Sequence, residues 1–190
     1  MRKIKVQVQV TMNGMMHAKD GAMDWMKLPW SADLESYVQE ITDSADTLLL
    51  GRKLADGFIP YWQSVAYDAS HPEQAAGKKF STMRRIVFSK SQTELPFTGV
   101  EVAQDLATTV QQLRSEPGGD IMVYGGTDLV NAVVAQSLAD EIHLFINPTA
   151  IANGSGVFDQ VRSMQHYGLL DVFVAACGIV VLVYKPLSYA

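Results

Sequence analysis

One cysteine, Cys177, stands in 190 residues. No intramolecular disulfide can form, and the chain suits a reducing compartment such as the cytoplasm. Basic charge is also scarce. The 15 Lys and Arg face 20 Asp and Glu, and the net charge of −5 leaves no basic footprint for nucleic acid or an anionic membrane surface. No apolar run is long enough to span a bilayer, and the basic start at Arg2 and Lys3 is followed by apolar residues alternating with Lys5, Gln7 and Gln9, which breaks the continuous core of a signal peptide. His17, His71, His143 and His166 lack metal-ligand spacing and partner cysteines, so they read as exposed or satisfied core histidines, and no metal is expected. The full Gly-x-Gly-x-x-Gly dinucleotide fingerprint is missing as well.

What is present suits a small-molecule ligand. Hydrophobic residues make up 48% of the chain, enough for a sizeable core, and one domain over 1–190 is the simplest count. Ile4, Val6, Val8 and Val10 share one face of a first strand. A Met-, Gly- and Trp-rich loop from Thr11 to Trp30 follows, of a length that often serves as a lid. Ser31 is placed to cap a helix carrying Leu34, Tyr37, Val38 and Ile41 at helical spacing. Thr47 to Leu50 reads as a buried strand leading to a short helix toward Phe58, and Arg85 to Phe88 as another strand. Residues 71–82 read as a polar surface excursion. Strand 100–103, a helix capped by Asp105, the strand before Gly125, a helix with Val130, Val133 and Val134, and the strand 141–146 come next. Two strands near 169–174 and 179–184 close the chain as an antiparallel hairpin. The expected class is α/β, with a mixed, mainly parallel sheet, helices on both faces, and ligands near the carboxyl ends of the strands.

Three of those strand ends carry residues suited to an anion. Ile121 to Tyr124 runs through Gly125-Gly126 into Thr127-Asp128-Leu129, and the glycines would let a ligand approach helix NH groups that have no internal partners. Gly-Gly after a strand is equally a way to turn tightly into a packed helix. Gly51-Arg52-Lys53 and Ser89-Lys90 are the other two. Arg52 and Lys90 are able to neutralise a further phosphate and Ser89 to donate a hydroxyl, a layout that favours NADPH over NADH. For Arg52 the competing reading is a surface salt bridge.

In this combination the chain resembles the dihydrofolate reductase-like superfamily, in the branch related to the reductase domain of the bacterial riboflavin-biosynthesis deaminase/reductase. The resemblance rests on Val10-Thr11-Met12-Asn13-Gly14, Asp24-Trp25, Leu50-Gly51-Arg52, Val87-Phe88-Ser89, Tyr124-Gly125-Gly126 and the C-terminal hairpin. It implies a three-layer reductase fold that binds NADPH. Gly51, Arg52 and Lys53 would hold phosphates, Phe88, Ser89 and Lys90 would lie by the adenosine, and Tyr124, Gly125, Gly126, Thr127, Asp128 and Leu129 would pass beneath the pyrophosphate. It also implies a homodimer, and a cis peptide often joins the paired glycines in such folds. Two departures stand out. Leu54 replaces a threonine common after Gly-Arg-x, and Asn13 replaces an aspartate common before the loop glycine.

Hydride transfer asks little of side chains, because the nicotinamide carries the chemistry. Asp33 is the catalytic candidate, resembling the acidic residue near the first helix of dihydrofolate reductases. A buried carboxylate there would have a raised pKa and relay a proton. Asp in a first helical turn is also favoured by the macrodipole alone. Asn13, Asp24, Trp25 and Phe58 are the substrate-side candidates, with the aromatics serving equally as packing anchors. The reading is an NADPH-dependent reductase of a small heterocyclic or carbonyl substrate. The alternatives are a dihydrofolate reductase and a non-catalytic nucleotide-binding protein on the same fold.

Overall fold

A computed structural model describes residues 1–26 and 29–187. Their strands are β1 (Ile4–Thr11), β2 (Met15–Ala18), β3 (Ala45–Gly51), β4 (Arg84–Phe88), β5 (Val100–Ala103), β6 (Asp120–Gly125), β7 (Glu141–Asn147), β8 (Gly154–Gly156), β9 (His166–Val174) and β10 (Val180–Leu187). The helices are α1 (Ala32–Asp43), α2 (Arg52–Tyr67), α3 (Gln74–Thr82), α4 (Leu106–Ser115) and α5 (Thr127–Ala135). Eight strands form one sheet in the order β5-β4-β3-β6-β1-β7-β10-β9. The first six are parallel and β10 and β9 are antiparallel, which is the mixed α/β architecture expected. Among the described residues no helix is long and apolar enough to cross a membrane.

Alternation along the central strands splits the core in two. Leu49, Ile86, Ile121 and Val123 pack beneath Val110 and Leu113 of α4 and Leu129, Val130, Val133 and Val134 of α5. Their neighbours Leu48, Leu50, Val87 and Met122 face the other way, against Leu34 and Ile41 of α1, Phe58 and Ile59 of α2 and Phe80 of α3. A strand buried on both faces cannot alternate polar and apolar, which explains the continuous Leu48-Leu49-Leu50 run.

The structure departs from the sequence reading at four places. The Thr11 to Trp30 segment is not one loop: β2 pairs antiparallel with β8, and Asp24 to Met26 form a 3-10 turn with Trp25 buried. Lys27 and Leu28 of that segment lie outside the described residues. The helix after Gly51 is 16 residues rather than short, and it runs through Pro60, which is exposed, because Phe58, Ile59 and Val65 bury the opposite side. The polar stretch 71–82 holds α3, whose Ala76, Phe80 and Met83 fall at helical spacing. A Cβ at Gly77 would lie 2.7 Å from the Ala66 nitrogen, so α3 docks close against α2 there. Finally, no peptide bond among the described residues is cis. Gly125 and Gly126 make their turn with φ of 145° and 87° instead.

Candidate active site

The carboxyl ends of β3 and β6 meet through glycines. Gly51 is the N-cap of α2 and Gly126 the N-cap of α5, and neither helix has a side-chain cap. A Cβ on Gly51 would lie 3.0 Å from the Gly126 Cα, and one on Gly126 only 2.8 Å from the Gly51 Cα. Any side chain at either position would drive the two helix starts apart. The result is two adjacent helix N-termini whose NH groups lack intrahelical partners and whose macrodipoles add, a cradle able to hold an anion.

Cationic and hydroxyl groups flank this cradle. Gly51 pairs with Phe88 across β3 and β4, so Ser89 and Lys90 leave the sheet beside the start of α2. Gln92 ties the two segments. Its amide NH donates to Ser89 Oγ at 3.0 Å, and its side-chain oxygen accepts from Arg52 Nε. Arg52 also pairs with Asp56 one turn along the helix, the surface salt bridge of the competing reading. Ser89 is buried, whereas Lys53 and Lys90 are exposed. Gln92 was not singled out in the sequence. Its only signal there is a serine three residues earlier, the spacing of a local side-chain-to-backbone turn.

Not every candidate lies on this cradle by its side chain. Leu129 is buried in the α4/α5 core, and Thr127 and Asp128 stand in the first turn of α5. Tyr124 packs with Phe58 and Phe80, at ring-centroid distances of 5.0 and 5.3 Å, and burial pushes its phenol up to about 12. Phe58 therefore belongs to the aromatic core.

The ladder between β1 and β6 stops short of the glycines. β1 pairs with β6 only over Ile4 to Val6, whereas its ladder with β7 continues to Thr11. Past Val6, β1 has no ladder partner on its β6 side, because β6 ends at Gly125 and turns into α5. The face of β1 turned toward α1 carries Lys5, Gln7, Gln9 and Thr11, in register with Glu141, His143, Phe145 and Asn147 of β7. Gln7, Thr11, His143 and Asn147 are all buried. His143 is satisfied at both nitrogens, by Glu141 at 3.3 Å and the Tyr37 hydroxyl at 3.0 Å. An ionised Glu141 only accepts, so Nε2 carries the proton and Nδ1 accepts from Tyr37. Burial, the largest influence, holds the imidazole below its ordinary pKa against the opposing pull of Glu141. For Glu141, burial pushes the carboxyl up, but Lys3, His143 and Lys5 outweigh it and leave it lowered.

Two amide atoms on this face have no partner, Gln7 Oε1 and Gln9 Nε2. Leaving such an atom buried and unmade costs about 1–3 kcal/mol. Gln7, Gln9, His143, Tyr37 and Asn147 were not singled out from the sequence as site residues, because alternation marks a polar face without saying whether water or protein covers it.

Asp33 differs from its sequence expectation. It is exposed, its Oδ2 accepts from the Ala176 NH at 2.9 Å, and its Oδ1 accepts from the Leu34 NH at 3.0 Å. The Ser31 hydroxyl, followed by the Ala176 amide, holds its pKa below the ordinary carboxylate value, the reverse of what a proton donor needs. Ser31 likewise spends its side chain on the hairpin, accepting from the Cys177 NH at 3.2 Å rather than capping α1. Both residues latch the β9/β10 turn to α1. Asn13 bridges loops in the same way. Its Nδ2 donates to the Ile151 carbonyl at 2.8 Å while its Oδ1 accepts from Thr11 at 2.8 Å and from the Ile151 NH at 3.4 Å, a pattern no carboxylate supplies. Asp24 is exposed beside the buried Trp25. Among the described residues no group of His, Cys, Asp or Glu is arranged to hold a metal ion.

Comparison with known proteins gives a consistent picture. The family model described as the RibD C-terminal domain matches residues 2–181. The Bacillus subtilis (strain 168) protein YyaP is 26% identical over 185 residues, covering 96% of this chain and 94% of its own. Among solved structures, the diaminohydroxyphosphoribosylaminopyrimidine deaminase/5-amino-6-(5-phosphoribosylamino)uracil reductase of Thermotoga maritima aligns with a TM-score of 0.70 at 17% identity, covering 98% of this chain and 57% of that one. The Saccharomyces cerevisiae riboflavin biosynthesis reductase Rib7 aligns with a TM-score of 0.61 at 14% identity, over 98% and 90% of the two chains. At these identities the structural likeness is one of fold.

Proposed function

Since the chain belongs to the RibD C-terminal domain family, we propose that it is an NADPH-dependent reductase of a small heterocyclic substrate, similar to the pyrimidine reductases of riboflavin biosynthesis. The observation that carries this reading is the contact between Gly51 and Gly126, which sets two uncapped helix starts side by side. A pyrophosphate fits such a cradle, and Cβ atoms would fill it. Arg52, Lys53 and Lys90 stand beside it with the charge to meet the additional phosphate that separates NADPH from NADH.

The bound nicotinamide would supply the hydride. The chain's own part is to hold and orient. Gly51, Gly125 and Gly126 would take the pyrophosphate on backbone NH groups, Ser89 and Lys90 would border the far end, and a substrate ring would lie beside the cradle, where β1 runs past its ladder with β6. Asp33 acts by position in this reading. As an anchored, ionised carboxylate it fixes the β9/β10 turn at the rim. A protein that binds the nucleotide without turnover remains the second reading, favoured by the engagement of Asp33 with Ala176 instead of with a buried pocket.

The same reading extends to a homodimer. The β9 edge strand exposes Leu170, Val172 and Val174, the last at 67%, on the sheet face that α4 and α5 leave uncovered. Long apolar edge strands pair or aggregate unless covered, and a symmetric second copy would cover this one. Sedimentation of the native chain as a dimer and of Val172→Asp as a monomer is expected.

Titration with NADPH and NADH, followed by fluorescence, tests the central proposal. NADPH should bind at least about tenfold more tightly than NADH, with the preference reduced in Arg52→Ala. Absence of binding by either nucleotide would end the reductase reading.

A further inference from the structure

Arg52 is the first residue of α2, next to the Gly51 N-cap, so its side chain leaves the backbone at the edge of the cradle. Helix stability does not account for it there. A cation in the first turn is opposed by the macrodipole, and a basic residue four positions before an acidic one is the poorer order for such a pair. Two side chains hold the guanidinium. Gln92 Oε1 accepts from Nε, and Asp56 Oδ2 lies against Nη1, which leaves Nη2 to neither. Nη1 is buried, yet it makes no aligned hydrogen bond to Asp56, so that contact is chiefly one of charge.

The two holders differ in kind. Gln92 is neutral and fixed, since its amide NH donates to Ser89 Oγ at 3.0 Å and Ser89 is only 6% exposed at the end of β4. It anchors the guanidinium and leaves the charge whole. Asp56 is a carboxylate whose side chain is 53% exposed, so it offsets that charge and is free to turn away into water. An anion of higher charge than one carboxylate displaces it, and a neutral hydroxyl does not.

Resting on the reductase reading, we propose that Asp56 is an internal competitor for the cofactor's additional phosphate, and that Gln92 positions Arg52 to receive it. A phosphate monoester beside the cradle carries nearly two negative charges, takes the guanidinium from Asp56 and leaves the Gln92 contact in place. When the ligand departs the carboxylate returns, which keeps the exchange reversible. NADH has a hydroxyl at that position and leaves the ion pair intact. Asp56 therefore lowers affinity for NADPH and not for NADH. A salt bridge that merely braced the start of α2 would have the opposite consequence, its loss weakening both nucleotides or neither.

Fluorescence titration of the full chain with NADPH and NADH tests this. Asp56→Asn should tighten NADPH by about threefold or more and leave NADH within about twofold, the size of one released surface ion pair. In the Arg52→Ala background the same substitution should have no effect, because the competitor then has nothing to hold. Gln92→Ala should weaken NADPH by about threefold and NADH much less, and Gln92→Glu, which adds a second carboxylate, should weaken NADPH further. Asp56→Asn leaving NADPH unchanged or weaker, tightening NADH equally, or keeping its gain without Arg52 would overturn the competitor. An unchanged NADPH-to-NADH ratio in Gln92→Ala would overturn the positioning role. If the native chain binds no NADPH, the reductase reading falls, and inorganic phosphate then judges the clamp by itself. Tighter phosphate binding by Asp56→Asn upholds it, and equal binding or none overturns it.

Discussion

The two faces of β1 use burial in opposite ways. Ile4, Val6, Val8 and Val10 enter a dry core under α4 and α5 in which each side chain is met by hydrocarbon. One residue along, Gln7 and Thr11 are buried no less, yet they face a polar stripe that includes His143 and Asn147 and two unpartnered amide atoms. The first face gains free energy as it leaves water, and the second spends it. A sheet built for stability alone would have placed valines on both sides, as β3 nearly does with its leucines. The difference predicts that the same operation on the two faces will have unlike results.

Truncation of the dry face should do most damage. Ile4→Ala leaves a cavity at a fully buried position and should lower unfolding free energy by about 2–5 kcal/mol, measured by urea denaturation. A cost no greater than that of Gln7→Leu would erase the distinction between the faces. Next comes the turn where the two faces part. Gly126→Ala puts a side chain at φ 87° and 2.8 Å from Gly51, and should cost about 1–3 kcal/mol together with most of the NADPH affinity, checked by denaturation and nucleotide titration. A comparable replacement off the site reverses the sign. Gly57, exposed in α2 with open space where its Cβ would stand, should gain about 0.4–1 kcal/mol as Ala and leave NADPH binding alone.

The polar face also makes stability depend on pH. The His143 pKa is lowered in the folded state, so the unfolded chain binds the proton more readily. The stability tied to this group is complete above the unfolded histidine pKa of about 6.5 and declines as pH falls through the lower folded value. Melting temperature between pH 8 and pH 5 should show this slope in the native protein and a shallower one in His143→Leu. An unchanged slope would mean that burial of the ring does not outweigh the pull of Glu141.

Local pattern made some parts of the molecule legible and left others hidden. The eight strands of the main sheet, the Asp105 cap, which accepts from the Thr108 NH at 2.7 Å, and the closing hairpin follow from spacing of a few residues. The helix α3 escaped notice because its buried residues are few among polar ones, and the length of α2 because proline usually ends a helix. At the candidate site, the two glycine turns were visible as motifs, but their contact across 75 residues of chain was not. The surroundings of Asp33 were hidden for a similar reason. Its sequence neighbours fit a buried acid, while its pKa is set by Ser31 and by Ala176 from the far hairpin.

By itself, the sequence determined the order of the eight main-sheet strands and of the helices other than α3, the apolar face of β1, the absence of an intramolecular disulfide, and which loops are built of glycine. These depend on backbone preferences and on periodicity, which act over a single turn or strand. Only the tertiary structure decided that Gly51 and Gly126 meet, that Asp33 lies exposed against the β9/β10 turn, and that Gln7 Oε1 and Gln9 Nε2 are buried without partners. Burial and partnership are set by whatever residues the fold brings from elsewhere in the chain, and no window along the sequence contains them.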